Sequence, residues 1–179
     1  MKYLQIYKDC ISDGPGIRVS LYVSGCRNHC LGCHNQEAWS FDAGNDFTWA
    51  ARTNVIDFCK APQIRGLTLC GGDPCEPENQ RGLIELLRAF REQCPDKDVW
   101  LYTGYELKDL LKGGKKHIEI TDEFLSYIDV AVVGPFILEQ RDISDDNRWR
   151  GSRNQRVLDL PKSLESGKPI MLPDIPNND

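Results

Sequence analysis

The stretch IRVSLYVSGCRNHCLGCHN, residues 17–35, joins two patterns that decide how the chain is built. Its first half, 17 to 25, alternates apolar and polar residues and is rich in β-branched side chains, which predicts a strand with two unlike faces. Its second half places Cys26, Cys30 and Cys33 in the spacing C-x3-C-x2-C on a loop directly after that strand. Gly25 and Gly32 free the backbone there to curl closely around whatever three thiols would hold.

Beyond this stretch, strand and helix signals alternate. Thr48 caps an expected helix over 49–60, with Ala51, Val55, Phe58 and Cys59 on one stripe. LTLC (67–70) reads as a short buried strand ending in the turn GGDP. The clearest helix covers 78–93, where Leu83, Leu86, Leu87, Phe90 and Cys94 form a stripe that Pro95 closes. DVWLYT (98–103) is a strand, a short helix over 105–112 stops at Gly113-Gly114, Thr121 opens a helical turn, and DVAVVG (129–134) is a strand again. Such alternation with short connections predicts a parallel sheet with helical crossovers. After Gly134 the pattern breaks. The arginine-rich QRDISDDNRWRGSRNQR (140–156) reads as a long loop into a strand at 156–160, KPIML as a last strand, and PDIPNND as a frayed end. Five to seven strands in a single domain over 1–179 are too few to close an eight-stranded barrel. In parallel sheets ligands bind at the carboxyl ends of the strands. That rule brings the cysteine loop, GGDP and the TGY after strand 98–103 to one rim.

Composition narrows the function classes. The chain has 179 residues, 27% of them charged, and a formal net charge of −5; its mean hydropathy is −0.47 and its pI about 5.3. That balance argues against a general nucleic-acid binder. No run reaches the ~18 apolar residues of a membrane span. MKYLQIYKDC is too polar for a secretory signal, so the cytoplasm is the expected location. In a reducing compartment, eight cysteines point to metal or redox chemistry rather than to staples. The trio therefore stands apart from Cys10, Cys59, Cys70, Cys75 and Cys94. Of these, Cys10, Cys59 and Cys94 are expected as small buried hydrophobes. Cys70 and Cys75 bracket GGDP, where a redox pair, or a share in holding a second cluster for which two ligands alone are too few, competes with that plain reading. His29 and His117 are expected at the surface, and the four tryptophans in the core, with Trp39 a candidate shield for the loop.

Thiolates ligate zinc and iron–sulfur clusters. A structural zinc site needs four closed ligands, and His29 or His34 would supply the fourth. A cubane cluster wants one thiolate per iron, so three cysteines leave one iron open as a binding site. Both alternatives remain open on the residues alone.

The ordered set of blocks adds a resemblance. C-x3-C-x2-C after one strand with GGDP after the next resembles the radical S-adenosylmethionine superfamily. DGPGIRVSLYVSGCRNHCLGCHNQEAW (13–39), LCGGDP, WLYTGYE, DVAVVGPF and RGSRNQRVLDL together look like the family of activating proteins of anaerobic ribonucleoside-triphosphate reductases, over residues 3 to 160. The resemblance implies an open, incomplete parallel β/α barrel. It also implies an oxidoreductase whose reduced 4Fe–4S cluster cleaves S-adenosylmethionine to methionine and a 5′-deoxyadenosyl radical. That radical takes a hydrogen from a glycine of the large reductase subunit, and flavodoxin or ferredoxin would donate the electron. Carried over residue by residue, Cys26, Cys30 and Cys33 ligate iron, and Gly32, Cys33 and His34 run past S-adenosylmethionine. Gly71, Gly72 and Asp73 receive its ammonium group, and Thr103 reaches its amino-acid end or ribose. Asn154, Gln155 and Arg156 face the glycine-bearing partner, and the arginine-rich loop is a candidate for its docking. Two positions depart from the family pattern: Val133 stands where an acidic residue is usual, and His34 where Tyr is frequent. The chain also lacks room for the inserted ferredoxin-like domain of the pyruvate formate-lyase activating enzymes. The rival expectations are an activase for another glycyl-radical enzyme, a small-molecule radical enzyme such as a 7-carboxy-7-deazaguanine synthase, and a zinc-stabilised binding protein.

Overall fold

Seven strands make up one sheet in the computed structural model, which describes residues 1–173. They are β1 (Lys2–Cys10), β2 (Ile17–Val23), β3 (Asn45–Asp46), β4 (Ile64–Gly71), β5 (Asp98–Thr103), β6 (Val130–Val133) and β7 (Arg156–Asp159), in the spatial order β3-β1-β2-β4-β5-β6-β7. The central strands β2, β4, β5 and β6 run parallel. Both edges are antiparallel: β1 pairs with β2 and β3, and β7 pairs with β6. The helices α1 (Trp49–Cys59), α2 (Pro77–Gln93), α3 (Leu107–Leu110), α4 (Thr121–Ser126) and α5 (Leu160–Ser166) lie between or after these strands.

Local chemistry fixes the main boundaries. The Thr48 side chain accepts a hydrogen bond from the Ala51 backbone N–H at 3.3 Å and so caps α1. Pro77 stands in the first turn of α2, where its missing N–H costs nothing. Leu83, Leu86, Leu87 and Phe90 then face the sheet, all fully buried. They meet Val19, Leu21, Val23, Leu67, Leu69, Val99, Leu101, Ala131 and Val133 in the main core. These strand residues alternate with a second set on the opposite face. Cross-strand register aligns Ser20 with Thr68 and Tyr22 with Cys70, and carries the rows on to Trp100 and Val130, and to Tyr102 and Val132. Strands buried on both faces are what a parallel sheet requires.

Several expectations are corrected. β1 was not anticipated; it is an edge element whose residues are mostly half-buried or exposed, so its pattern is blurred. The strand expected at 67–70 begins at Ile64. β7 is antiparallel, because the connection from β6 is a loop with two short 3-10 turns rather than a helical crossover. KPIML contributes only the isolated bridge Leu158–Met171. Beyond Pro173, the expected frayed end lies outside the described residues. On α1, Phe58 is 37% exposed rather than part of the buried stripe, and Trp49 is 71% exposed rather than in the core. Cys10 is half-buried, with its sulfur 3.3 Å from the Ser12 hydroxyl. Among the described residues no helix is long and apolar enough to cross a membrane.

Candidate functional site

A cavity of about 650 Å³ opens at the carboxyl ends of the parallel strands. Its wall includes Cys26, Cys30, Gly32, Cys33 and His34 from the loop after β2, Gly71, Gly72 and Asp73 from the turn after β4, and Thr103 at the end of β5. Three turns far apart in sequence therefore meet at one rim, as strand polarity requires.

The cysteine loop is held from beneath. Gly25 and Cys26 donate backbone hydrogen bonds to Ala38 and Trp39 at 2.8 and 3.1 Å. Gly25 has φ +98°, and a Cβ there would lie 2.2 Å from the Phe41 ring, so only glycine lets the strand turn into the loop. Within the loop, the Asn35 backbone N–H donates to Cys33 Sγ at 3.4 Å. Burial, then the charge of Asp73, pushes the Cys26 thiol up to about 11, and burial also raises Cys30. Both therefore keep their protons at neutral pH in the metal-free chain. His29 is exposed, has φ 46°, and stacks on Trp39 with ring centroids 4.6 Å apart.

Asp73 ties the three turns together. Its Oδ1 accepts from Thr103 Oγ1 at 2.8 Å and from the Cys75 N–H at 3.0 Å. Its Oδ2 accepts from Asn28 Nδ2 at 2.8 Å and from the Gly104 N–H at 2.9 Å. Four donors fill the acceptor positions of one carboxylate. Asp73 thus positions the rim while it lines the cavity. Burial outweighs the hydrogen bonds of Thr103, Cys75 and Gly104 and pushes its carboxyl up to about 6. Gly72 also has a packing reason, since a Cβ there would meet the Gly25 carbonyl oxygen at 2.6 Å.

Glu76, fully buried, is a second knot that the sequence did not reveal. It accepts from Arg27 N at 3.0 Å, Arg27 Nη1 at 2.6 Å, Tyr105 OH at 2.5 Å and Lys116 Nζ at 2.7 Å. Burial alone would raise its carboxyl, but Lys116, Tyr105 and Arg27 together hold it below the usual range. Asn79, on the first turns of α2, donates to the carbonyls of Ser24 at 3.0 Å and Asp73 at 2.9 Å. The helix is thereby locked under both the cysteine loop and the GGDP turn.

Of the residues expected to face a partner, Gln155 lines the cavity while Asn154 and Arg156 do not. Asn154 Nδ2 donates to the Pro135 carbonyl at 2.8 Å, and Gln155 Nε2 to the Gly134 carbonyl at 2.9 Å. These two side chains fasten the loop before β7 to the end of β6; Arg156 is exposed. Val133 lies in the main core, 3% exposed, which suits its apolar side chain. Cys59, Cys75 and Cys94 are buried in the same core. Cys70 is the exception: it lines the cavity, its sulfur 3.8 Å from Asp13 Oδ2. His117 is largely covered and sits 2.9 Å from Asp122.

Three thiols on one curled loop, facing one cavity, are a soft donor set that fits an iron–sulfur cluster or zinc. The thiols are not drawn into finished coordination geometry: among the described residues no three His, Cys, Asp or Glu side chains form a ready metal cluster. The chain belongs to the 4Fe-4S single cluster domain family, whose model it matches over residues 12–158. Its relatives are more specific. It is 43% identical over 159 residues to the anaerobic ribonucleoside-triphosphate reductase-activating protein of Haemophilus influenzae, covering 88% of this chain and 97% of that one. The proteins of the same name from Vibrio cholerae and Escherichia coli K12 are 42% and 37% identical, over 88% and 89% of this chain and 97% and 99% of theirs.

Proposed function

We propose that this chain is the activating enzyme of an anaerobic ribonucleoside-triphosphate reductase. It would be a radical S-adenosylmethionine protein in which Cys26, Cys30 and Cys33 hold one 4Fe–4S cluster with one iron open to S-adenosylmethionine. The observation that carries this reading is the meeting of those three thiols with Gly71, Gly72, Asp73 and Thr103 around one cavity. The relatives' shared name supports the choice of partner. The parallel strands β2, β4, β5 and β6, with a polar row above the main core, suit an open β/α barrel.

Held by Cys26, Cys30 and Cys33, the cluster would supply the electron for reductive cleavage of S-adenosylmethionine, the chemistry by which a glycine of the reductase would be converted to its radical. The chain's own residues bind, orient and exclude water. The Asn35 N–H steadies the Cys33 sulfur. Asp73 fixes Asn28, Thr103 and Gly104 at the rim, so that the walls of the ligand site are set before the ligand arrives. Gly32 and His34, exposed on the cavity wall, leave room for the nucleotide beside the loop. Trp39 covers one side. Eight cysteines without a disulfide among the described residues accord with a reducing cytoplasm; a flavodoxin or ferredoxin would be the electron source.

Anaerobic reconstitution tests the reading. The loaded chain should be brown, hold one cluster, release 5′-deoxyadenosine from S-adenosylmethionine with a reductant, and raise a glycyl electron paramagnetic resonance signal on the reductase. A colourless chain that retains zinc, or a radical raised only on a different glycyl-radical protein, overturns it.

A further inference from the structure

Two uncharged donors in the cavity wall have no partner among the described residues. The Tyr102 hydroxyl and the Trp149 indole Nε1 are both buried, both without a hydrogen-bond partner, and both belong to residues that line the same cavity as the three thiols. Buried polar groups are nearly always paired, so two orphans at one cavity call for an explanation. They share neighbours: Tyr102 and Trp149 both pack against the apolar group of Trp100, Val130, Val132 and Val157. Trp149 meets the Trp100 ring edge-on at 6.2 Å, with a left-handed φ of 67° that a bulky residue rarely adopts. Tyr22, one of the neighbours in Tyr102's row, is different, because its hydroxyl donates to Asp13 at 2.9 Å.

Resting on the activating-enzyme reading, we propose that Tyr102 and Trp149 form a subsite for backbone carbonyl groups flanking the target glycine of the protein substrate. A glycine offers no side chain to grip, so recognition close to it must use the main chain. Carbonyl oxygens are pure acceptors, which match two neutral donors. Burial drives the Tyr102 hydroxyl well above the ordinary tyrosine range, so it stays protonated and able to donate. Both donors are closed off from water in the resting chain. An incoming carbonyl therefore reaches them as the segment carrying Trp149 yields. Acceptor atoms of the nucleotide's ribose or adenine share this chemistry, and the experiment separates the two sources.

Tyr102→Phe removes one oxygen and leaves the ring. The concentration of reductase giving half-maximal glycyl radical should rise about 5- to 10-fold, the loss of one hydrogen bond. Affinity for S-adenosylmethionine should move less than twofold. The metal-free variant should melt at the same or a higher temperature, because an unsatisfied buried hydroxyl is gone. Trp149→Phe should show the same split between partner and nucleotide. The inference is overturned if the reductase dependence is unchanged in both variants, if nucleotide affinity falls instead, or if Tyr102→Phe melts markedly lower, which would mean that the hydroxyl serves the fold. A wild-type chain that raises no glycyl radical sinks the activating-enzyme reading itself and takes this inference with it, whereas failure of the variants alone sinks only the subsite.

Discussion

Glu76→Gln removes a charge from a place shut off from water, directly beneath the cysteine loop. The wild-type carboxylate is fully buried and faces Lys116, whose side chain is 12% exposed, and Arg27, which is 49% exposed. Arg27 keeps its water, so its share is that of a surface pair, about 0–1 kcal/mol. Lys116 is the larger loss. Its ammonium would face an amide while still buried, and removing one partner of a buried pair costs about 3–5 kcal/mol. Tyr105 can still donate to the amide oxygen, which sets the expected destabilisation near the lower end, about 3 kcal/mol. For a chain of this size that lowers the melting temperature by about 6–12 °C. It lowers the urea midpoint by about 1.5 M at a slope near 2 kcal/mol/M. Urea and thermal melts of the metal-free chain at pH 7 measure it. The sign with pH follows from the depressed carboxyl: its contribution is present above 4.5, its unfolded value, and is lost as pH falls from there through the folded value. Wild type and variant should therefore converge in acid. Adding Lys116→Met to Glu76→Gln should recover part of the loss. A destabilisation under about 1 kcal/mol at pH 7, with no convergence in acid, would refute the view that this network pins the loop.

Two further outcomes are expected. Cys30→Ala should take up little iron and cleave no S-adenosylmethionine, whereas Cys59→Ala and Cys70→Ser should reconstitute normally; equal loss in all three folded variants would undo the division of the cysteines. Asp73, raised from 3.8 to about 6, holds its proton in the folded chain where the unfolded chain has released it. Its contribution makes the metal-free protein more stable as pH falls from 7 to 5, by roughly 1.4 kcal/mol. Asp73→Asn should flatten that part of the stability–pH curve, and an unchanged slope would remove Asp73 as its source.

The parts of the fold that were legible in the sequence are those with a strong local pattern. The 3.6-residue stripe of α2, the Thr48 cap and the β-branched run of β2 each act within a few residues, and each lies where expected. The gathering of the cysteine loop, GGDP and Thr103 followed from strand polarity rather than from any contact visible in the chain. What stayed hidden acts over long separations. Glu76 meets Arg27 and Lys116 49 and 40 residues away, and nothing in the letters CEPEN announces either bond. The resemblance implies a ligand contact for Asp73, but its bonds to Asn28, Cys75, Thr103 and Gly104 join positions 2 to 45 residues away and were not readable in the chain. The direction of β7 was also unreadable, since alternation gives a strand's faces but not its polarity. Phe58 follows the stripe and still lies at the surface, while Ile56 takes a buried place on α1 beside Ala51, Val55 and Cys59.

Below the row of Tyr22, Cys70 and Tyr102, the polar face of the sheet is stoppered. Arg18, wholly buried, donates to Asp98 at 2.5 Å, Thr68 at 2.7 Å and the Leu67 carbonyl at 3.0 Å, and its guanidinium lies 5.5 Å from the Trp100 ring centroid. This plug fills the polar face at the end of the strands away from the cysteine loop, so the chamber is floored on that side. On the activating-enzyme reading, a polypeptide guest would come in over the cysteine side and withdraw the same way, so the glycine segment would have to leave the interior of its own protein for the visit.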